Sequence, residues 1–108
     1  MITSLNDQDL VLVITTESNY DNAKKLAKNL LSKKLAACIS MVQINSLYRW
    51  NNEILEELEV QLNIKVRADL VEKLYYALKE IHSYELPQFV YLNASSSEEY
   101  LQWCSTKI

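Results

Sequence analysis

Residues 82–87 read His82-Ser83-Tyr84-Glu85-Leu86-Pro87 and hold both the only histidine and the only proline of a 108-residue chain. An imidazole, a phenol and a carboxylate within four residues could move protons, ligate a metal ion, or simply finish a helix. A histidine at a helix C-terminus is already favoured by the helix dipole, so the structural role needs no further chemistry. Three other residues could join it. Lys65 interrupts an apolar run, and Cys38 and Cys104 carry the only thiols. A strand cysteine such as Cys38 is most often a small buried hydrophobe, and Cys104 beside Trp103 has the same packing role. No set of His, Cys and carboxylate positions has the spacing of a zinc or calcium motif. The chain contains no glycine, which excludes Gly-rich phosphate loops and a nucleophile elbow. No catalytic motif is recognisable, so the residues predict a binding surface, not an enzyme.

The elements that must carry these groups follow from periodicity. Residues 9–16, DLVLVITT, form a β-branched apolar run typical of a buried strand. Ser18 and Asp21 have capping-box spacing ahead of a helix that buries Ala23, Leu26, Ala27, Leu30 and Leu31 and ends near Lys34. Residues 36–50 and 53–67 read as strands; in the second, Leu58, Val60, Leu62, Ile64 and Val66 alternate with polar residues. Asn51-Asn52 between them suits a two-residue hairpin turn, and without glycine any left-handed position should fall to Asn or Asp. A second helix from about Asp69 carries Leu70, Leu74, Ala77, Leu78 and Ile81 on one face and stops before Pro87. Residues 88–92 form the last strand, and Ser96 or Ser97 caps a short closing helix.

The order β-α-β-β-α-β plus a C-terminal helix is that of an α+β, ferredoxin-like sandwich, a single domain over residues 1–108. Each arm of the central hairpin would span on the order of 45 Å at ~3.3 Å per residue, beyond a core whose radius of gyration should be about 13 Å. The overhang carries Leu47, Tyr48, Trp50, Ile54 and Leu55, so it needs a partner surface. With a two-residue turn, Ala37, Ile39 and Met41 share the helix face with Val60, Leu62, Ile64 and Val66. Cys38, Ser40, Val42 and Ile44 then oppose Lys65, Asn63, Gln61 and Glu59 on the other face. Net charge is −3 and no basic patch is interleaved with aromatics, which argues against nucleic acid. No run is long enough to span a membrane, the first ten residues lack signal-peptide character, and two unpaired cysteines suit a reduced, cytoplasmic setting.

Five segments add a resemblance. LAACIS (35–40), SLYRWNNEI (46–54), LNIKVRADL (62–70), HSYELPQFVYL (82–92) and YLQW (100–103) occur in the order and spacing of the CutA divalent-cation-tolerance family. The resemblance covers about residues 9–104 and implies a ferredoxin-like subunit in a homotrimer similar in architecture to PII signalling proteins. It further implies a role in the response to metal ions, with copper (Cu²⁺) binding in which His82 and Cys38 would be the metal residues. A cleft between subunits would use Tyr48, Trp50, Lys65, His82, Tyr84, Glu85 and Trp103, with Lys65, His82 and Glu85 as one polar cluster walled by Tyr48, Trp50 and Trp103. The alternative is a PII-like sensor that takes a small anionic ligand in that cleft. Three positions depart from the family pattern. Ser83 replaces a proline and should loosen the turn, Val66 replaces a threonine and loses a hydroxyl from the cleft, and Asn51-Asn52 replaces a glycine-containing hairpin tip.

Overall fold

The computed structural model describes residues 10–106. Its elements are β1 (Val11–Glu17), α1 (Tyr20–Ser32), β2 (Cys38–Trp50), β3 (Glu53–Val66), a 3₁₀ turn (Ala68–Leu70), α2 (Val71–Ile81), β4 (Val90–Asn93) and α3 (Glu98–Thr106). Four antiparallel strands lie in the order β2-β3-β1-β4, as a ferredoxin-like sandwich requires. Val11 and Val13 of β1 and Val60, Leu62, Ile64 and Val66 of β3 face Ala23, Leu26, Ala27 and Leu30 of α1 and Leu74 and Leu78 of α2. These side chains form the core. Burying each one on folding contributes about 1.5–3 kcal/mol for the larger aliphatics, so this single layer sets the register of everything else.

The central hairpin has the parity expected of it. Cys38 pairs with Lys65, Ser40 with Asn63, Val42 with Gln61 and Ile44 with Glu59. Its turn residues Asn51 and Asn52 have φ of 49° and 64°, the left-handed pair that a two-residue turn needs to match strand twist. Arms of 13 and 14 residues give the chain a longest dimension of 46 Å against 26 and 21 Å. Alternation alone marks Leu58 as core, yet it is 64% exposed while Leu62 on the same face is fully buried. The helices end before they reach Leu58, so the apolar stripe continues past its cover.

Element ends depart from the sequence reading for local reasons. Asn19, not Ser18, caps α1, its side-chain oxygen accepting the Asn22 amide at 2.9 Å. Ser18 belongs to the strand end, where its N–H donates to Glu17 at 3.0 Å. α1 stops at Ser32, and Lys34 takes the left-handed position with φ of 60° while the Leu35 amide closes onto Leu30 O at 3.0 Å. A helix terminus of this kind accepts a non-glycine residue at a cost when the closing bond and core contact hold it. α2 begins after a 3₁₀ turn and ends at Ile81, well ahead of Pro87. β4 is shifted to Val90–Asn93, because Pro87 and the residues after it run past β1 before pairing starts at Ile14 and Val90. Ser97 caps α3 as expected, accepting the Tyr100 amide at 3.3 Å.

Lys34 gives a direct test. Lys34→Gly relieves a left-handed backbone worth about 1 kcal/mol, so urea unfolding should show a midpoint raised accordingly. A lower midpoint would show that the lysine side chain holds this corner.

Candidate functional site

The residues after α2 are organised by a carboxylate that no motif announced. Glu17 ends β1 with its side chain only 1% exposed. It accepts the Ser18 amide at 3.0 Å, the Ser83 amide at 2.9 Å and the Ser83 hydroxyl. Three donors are what a buried carboxylate needs to offset its lost hydration. His82 lies against the same group, with Nδ1 3.5 Å from Glu17 Oε2 and the ring fully buried. Nε2 is 2.7 Å from the carbonyl oxygen of Thr16, and Nδ1 is 3.0 Å from the Tyr84 amide. A carbonyl can only accept and an amide can only donate. These two partners therefore fix the neutral ring as the Nε2–H tautomer. Ser83 does not loosen the turn: its N–H, which a proline lacks, fastens the turn to the end of β1.

From this anchor Tyr84 projects toward the hairpin, its hydroxyl donating to Glu59 at 2.6 Å. Burial, together with that hydrogen bond, pushes the Tyr84 phenol well above the ordinary tyrosine range. Further out, Tyr48 donates to Glu57, which raises its phenol in the same way. Tyr48, Trp50, Glu57, Glu59, Tyr84 and Glu85 line a cleft of about 960 Å³ between the hairpin and the turn. Glu57 had no place in the sequence reading, and Glu59 stood there only opposite Ile44 on the face away from the helices. Their signal was that they stand four and two residues before Gln61 on the polar face of β3.

Lys65 and Trp103 are elsewhere in the subunit. Lys65 Nζ lies 5.3 Å from the centre of the Tyr100 ring, and Tyr100 stacks on Trp103 at 5.7 Å. A hydrogen bond to Tyr100 raises the Lys65 pKa, which keeps the ammonium charged. Burial raises the Cys104 thiol. Cys104 is buried but outside the core under α1 and α2, since α3 packs on the opposite face of the sheet with Lys65 and Cys38. Lys65 pairs with Leu12, whereas His82 bonds to Thr16, four residues and about 13 Å further along β1. The chain thus brings His82, Tyr84 and Glu85 together in the turn, with Tyr48 and Trp50 lining the cleft from the hairpin. It keeps Lys65, Cys38 and Trp103 apart from them. Val66 is buried in the core, so the residue at 66 does not face the cleft.

The same geometry tests the copper set. Both His82 nitrogens are engaged by backbone groups, and Cys38 lies on the far face of the sheet. His82 and Cys38 of one subunit do not fit a shared ion. Among the described residues no group of three or more His, Cys, Asp or Glu is placed to hold one.

A ferredoxin-like sheet with an overhanging hairpin and a helix on its open face defines the class of small α+β proteins to which this subunit conforms. Within it, residues 11–107 match the CutA1 divalent ion tolerance protein family, and the chain belongs to that family. It is 34% identical over 95 residues to a divalent-cation tolerance protein CutA of Pyrococcus horikoshii, covering 87% of this chain and 93% of that one. It is 36% identical over 87 residues to the human protein CutA, covering 79% of this chain and 49% of the human one. The fold superimposes on the CutA structure from Synechococcus elongatus with a TM-score of 0.90 at 35% identity, over 93% of this chain and 90% of that one.

The buried carboxylate makes a sharp prediction. Ser83→Pro removes two of three donors to Glu17 and should cost about 2–4 kcal/mol. In a Glu17→Leu background the same change should cost less than half as much. Denaturant unfolding of the four proteins measures this coupling, and equal costs in both backgrounds would exclude Glu17 as the cause. Tyr84 supplies a second test. Its raised pKa means that the stability it contributes is complete below about pH 10 and is lost as pH climbs toward the folded value. Ultraviolet titration should therefore lose its highest-pH tyrosine component in Tyr84→Phe, and an unchanged curve would place Tyr84 in water.

Proposed function

We propose that the protein is a non-enzymatic, homotrimeric binding module of the divalent-ion tolerance family, acting in the cytoplasm, with its hairpin cleft completed by a neighbouring subunit. The observation that carries this reading is the uncovered hairpin. Leu47, Trp50, Ile54 and Leu58 are 60–73% exposed along one ribbon, an apolar surface that association would remove from water. The absence of enzymatic activity is inferred from the state of the candidate groups. Both His82 ring nitrogens are engaged by backbone groups inside the fold, and Lys65 is held as an ammonium over Tyr100.

The cleft favours cations. Among the described residues Glu57, Glu59 and Glu85 are its charged lining residues, and no lysine or arginine lines it. A PII-like sensor for a small anion would need a neighbouring subunit to bring positive charge into the cleft. Divalent-ion contact, which the names of the relatives suggest, is assigned to these carboxylate oxygens with further ligands from a second subunit. Oxygen donors suit hard cations, and thiolate with imidazole suits copper and zinc. Copper binding through His82 and Cys38 is therefore the less supported form of the family role.

Sedimentation velocity at micromolar concentration should give a trimer, and Leu58→Glu should shift it toward smaller species without unfolding the subunit. A monomeric wild type would end this reading. Calorimetry with Cu²⁺ and with Mn²⁺ tests the ion assignment: affinity should survive Cys38→Ala and fall in a Glu57→Gln, Glu59→Gln double variant. Loss on Cys38→Ala alone would return the thiol to the site.

A further inference from the structure

A second cavity opens on the helix-covered side of the sheet, where α2 leaves the short edge strand β4 uncovered. Its volume is about 740 Å³, and it shares no lining residue with the hairpin cleft. Val11 and Val71 contribute aliphatic surface. Tyr75, Phe89 and Tyr91 supply three aromatic rings, and among the described residues Glu72 supplies the one charge in the lining. Phe89 meets Tyr75 edge-on at 4.8 Å and Tyr91 at 5.9 Å, so the rings stand at angles to each other and do not collapse into one stack. The aromatic array already attracts a cation: Lys79 Nζ lies 5.0 Å from the centre of the Tyr75 ring.

We propose that this cavity binds an organic cation, an amine or quaternary ammonium carried on a flat apolar body. Ring faces present the negative side of the aromatic quadrupole, and a carboxylate beside them adds a full charge of the same sign. An anion would meet Glu72, and among the described residues the nearby Lys79 ammonium is outside the lining and already occupied with the Tyr75 ring. A metal ion would find a single carboxylate where six or more oxygen ligands are needed for calcium. The cationic head belongs between Glu72 and the rings, and the apolar body belongs on Val11 and Val71. The volume lies within the range of ordinary small-molecule sites, roughly 300–1,000 Å³. Tyr91 is 62% exposed, so the mouth is open to solvent.

The test is an NMR titration of the assembled protein with benzyltrimethylammonium, phenylacetate and benzyl alcohol, three probes of one body and different charge. The cation should shift the ring resonances of Phe89 and Tyr91 and bind more tightly than either of the others. Glu72→Gln and Tyr91→Ala should each weaken it by about fivefold. Both positions are exposed, so neither change threatens the fold. Phenylacetate binding as tightly as the cation would overturn the proposal. So would cation affinity unchanged in both variants, or no shift of these rings at all.

Discussion

The turn that follows α2 depends on one buried carboxylate. Glu17 lies at the end of a core strand, out of water, where an unmatched charge would not be tolerated. Its three donors come from the two turns that meet there, Ser18 before α1 and Ser83 after α2. Satisfying the carboxylate therefore fixes both turns at once. His82 completes the fastening through the Thr16 carbonyl and the Tyr84 amide. The position of Tyr84, and with it one wall of the hairpin cleft, is a consequence of strand-end electrostatics, and no loop preference is needed to explain it.

The second constraint is the mismatch between the hairpin and the helices. α1 and α2 cover Val60, Leu62, Ile64 and Val66, while Leu58 and the hairpin tip extend beyond them. Stability of the subunit and exposure of its apolar ribbon are thus separate matters, set by different halves of the same strands. The proximal half is a core. The distal half, with Glu57 bonded by Tyr48 and Glu59 by Tyr84, leaves its apolar residues Leu47, Trp50, Ile54 and Leu58 exposed.

Much of this was legible in the residues. The period-two alternation of β3 and the Asn51-Asn52 turn set the hairpin register down to Cys38 opposite Lys65. Parity likewise put Lys65 on the face away from the helices. The polar network was not legible, because parity alone puts Glu17 on the core face with Val11 and Val13, and nothing local shows that Ser83, distant in sequence, will satisfy its charge. For the same reason Ser83 read as a weakened turn when its amide is a structural donor. Lys34 escaped because a left-handed helix terminus is set by the closing Leu35 bond, not by residue type alone. Only the family resemblance groups the seven cleft residues together. The chain by itself collects only part of them, since Trp103 is in α3 and Lys65 lies under that helix beside Tyr100, about 13 Å along the sheet from the His82 anchor.

The protonation pattern of the single histidine reads the central network without interference from any other ring. Long-range ¹H–¹⁵N correlation at neutral pH distinguishes a nitrogen that carries a proton from one that accepts a bond. The geometry predicts the neutral Nε2–H tautomer, with Nδ1 as acceptor from the Tyr84 amide. An Nδ1–H signal would mean that the ring donates to Glu17 instead. In that case the account of the turn, with Ser83 as the principal donor to the carboxylate and His82 as the link to Tyr84, would be wrong.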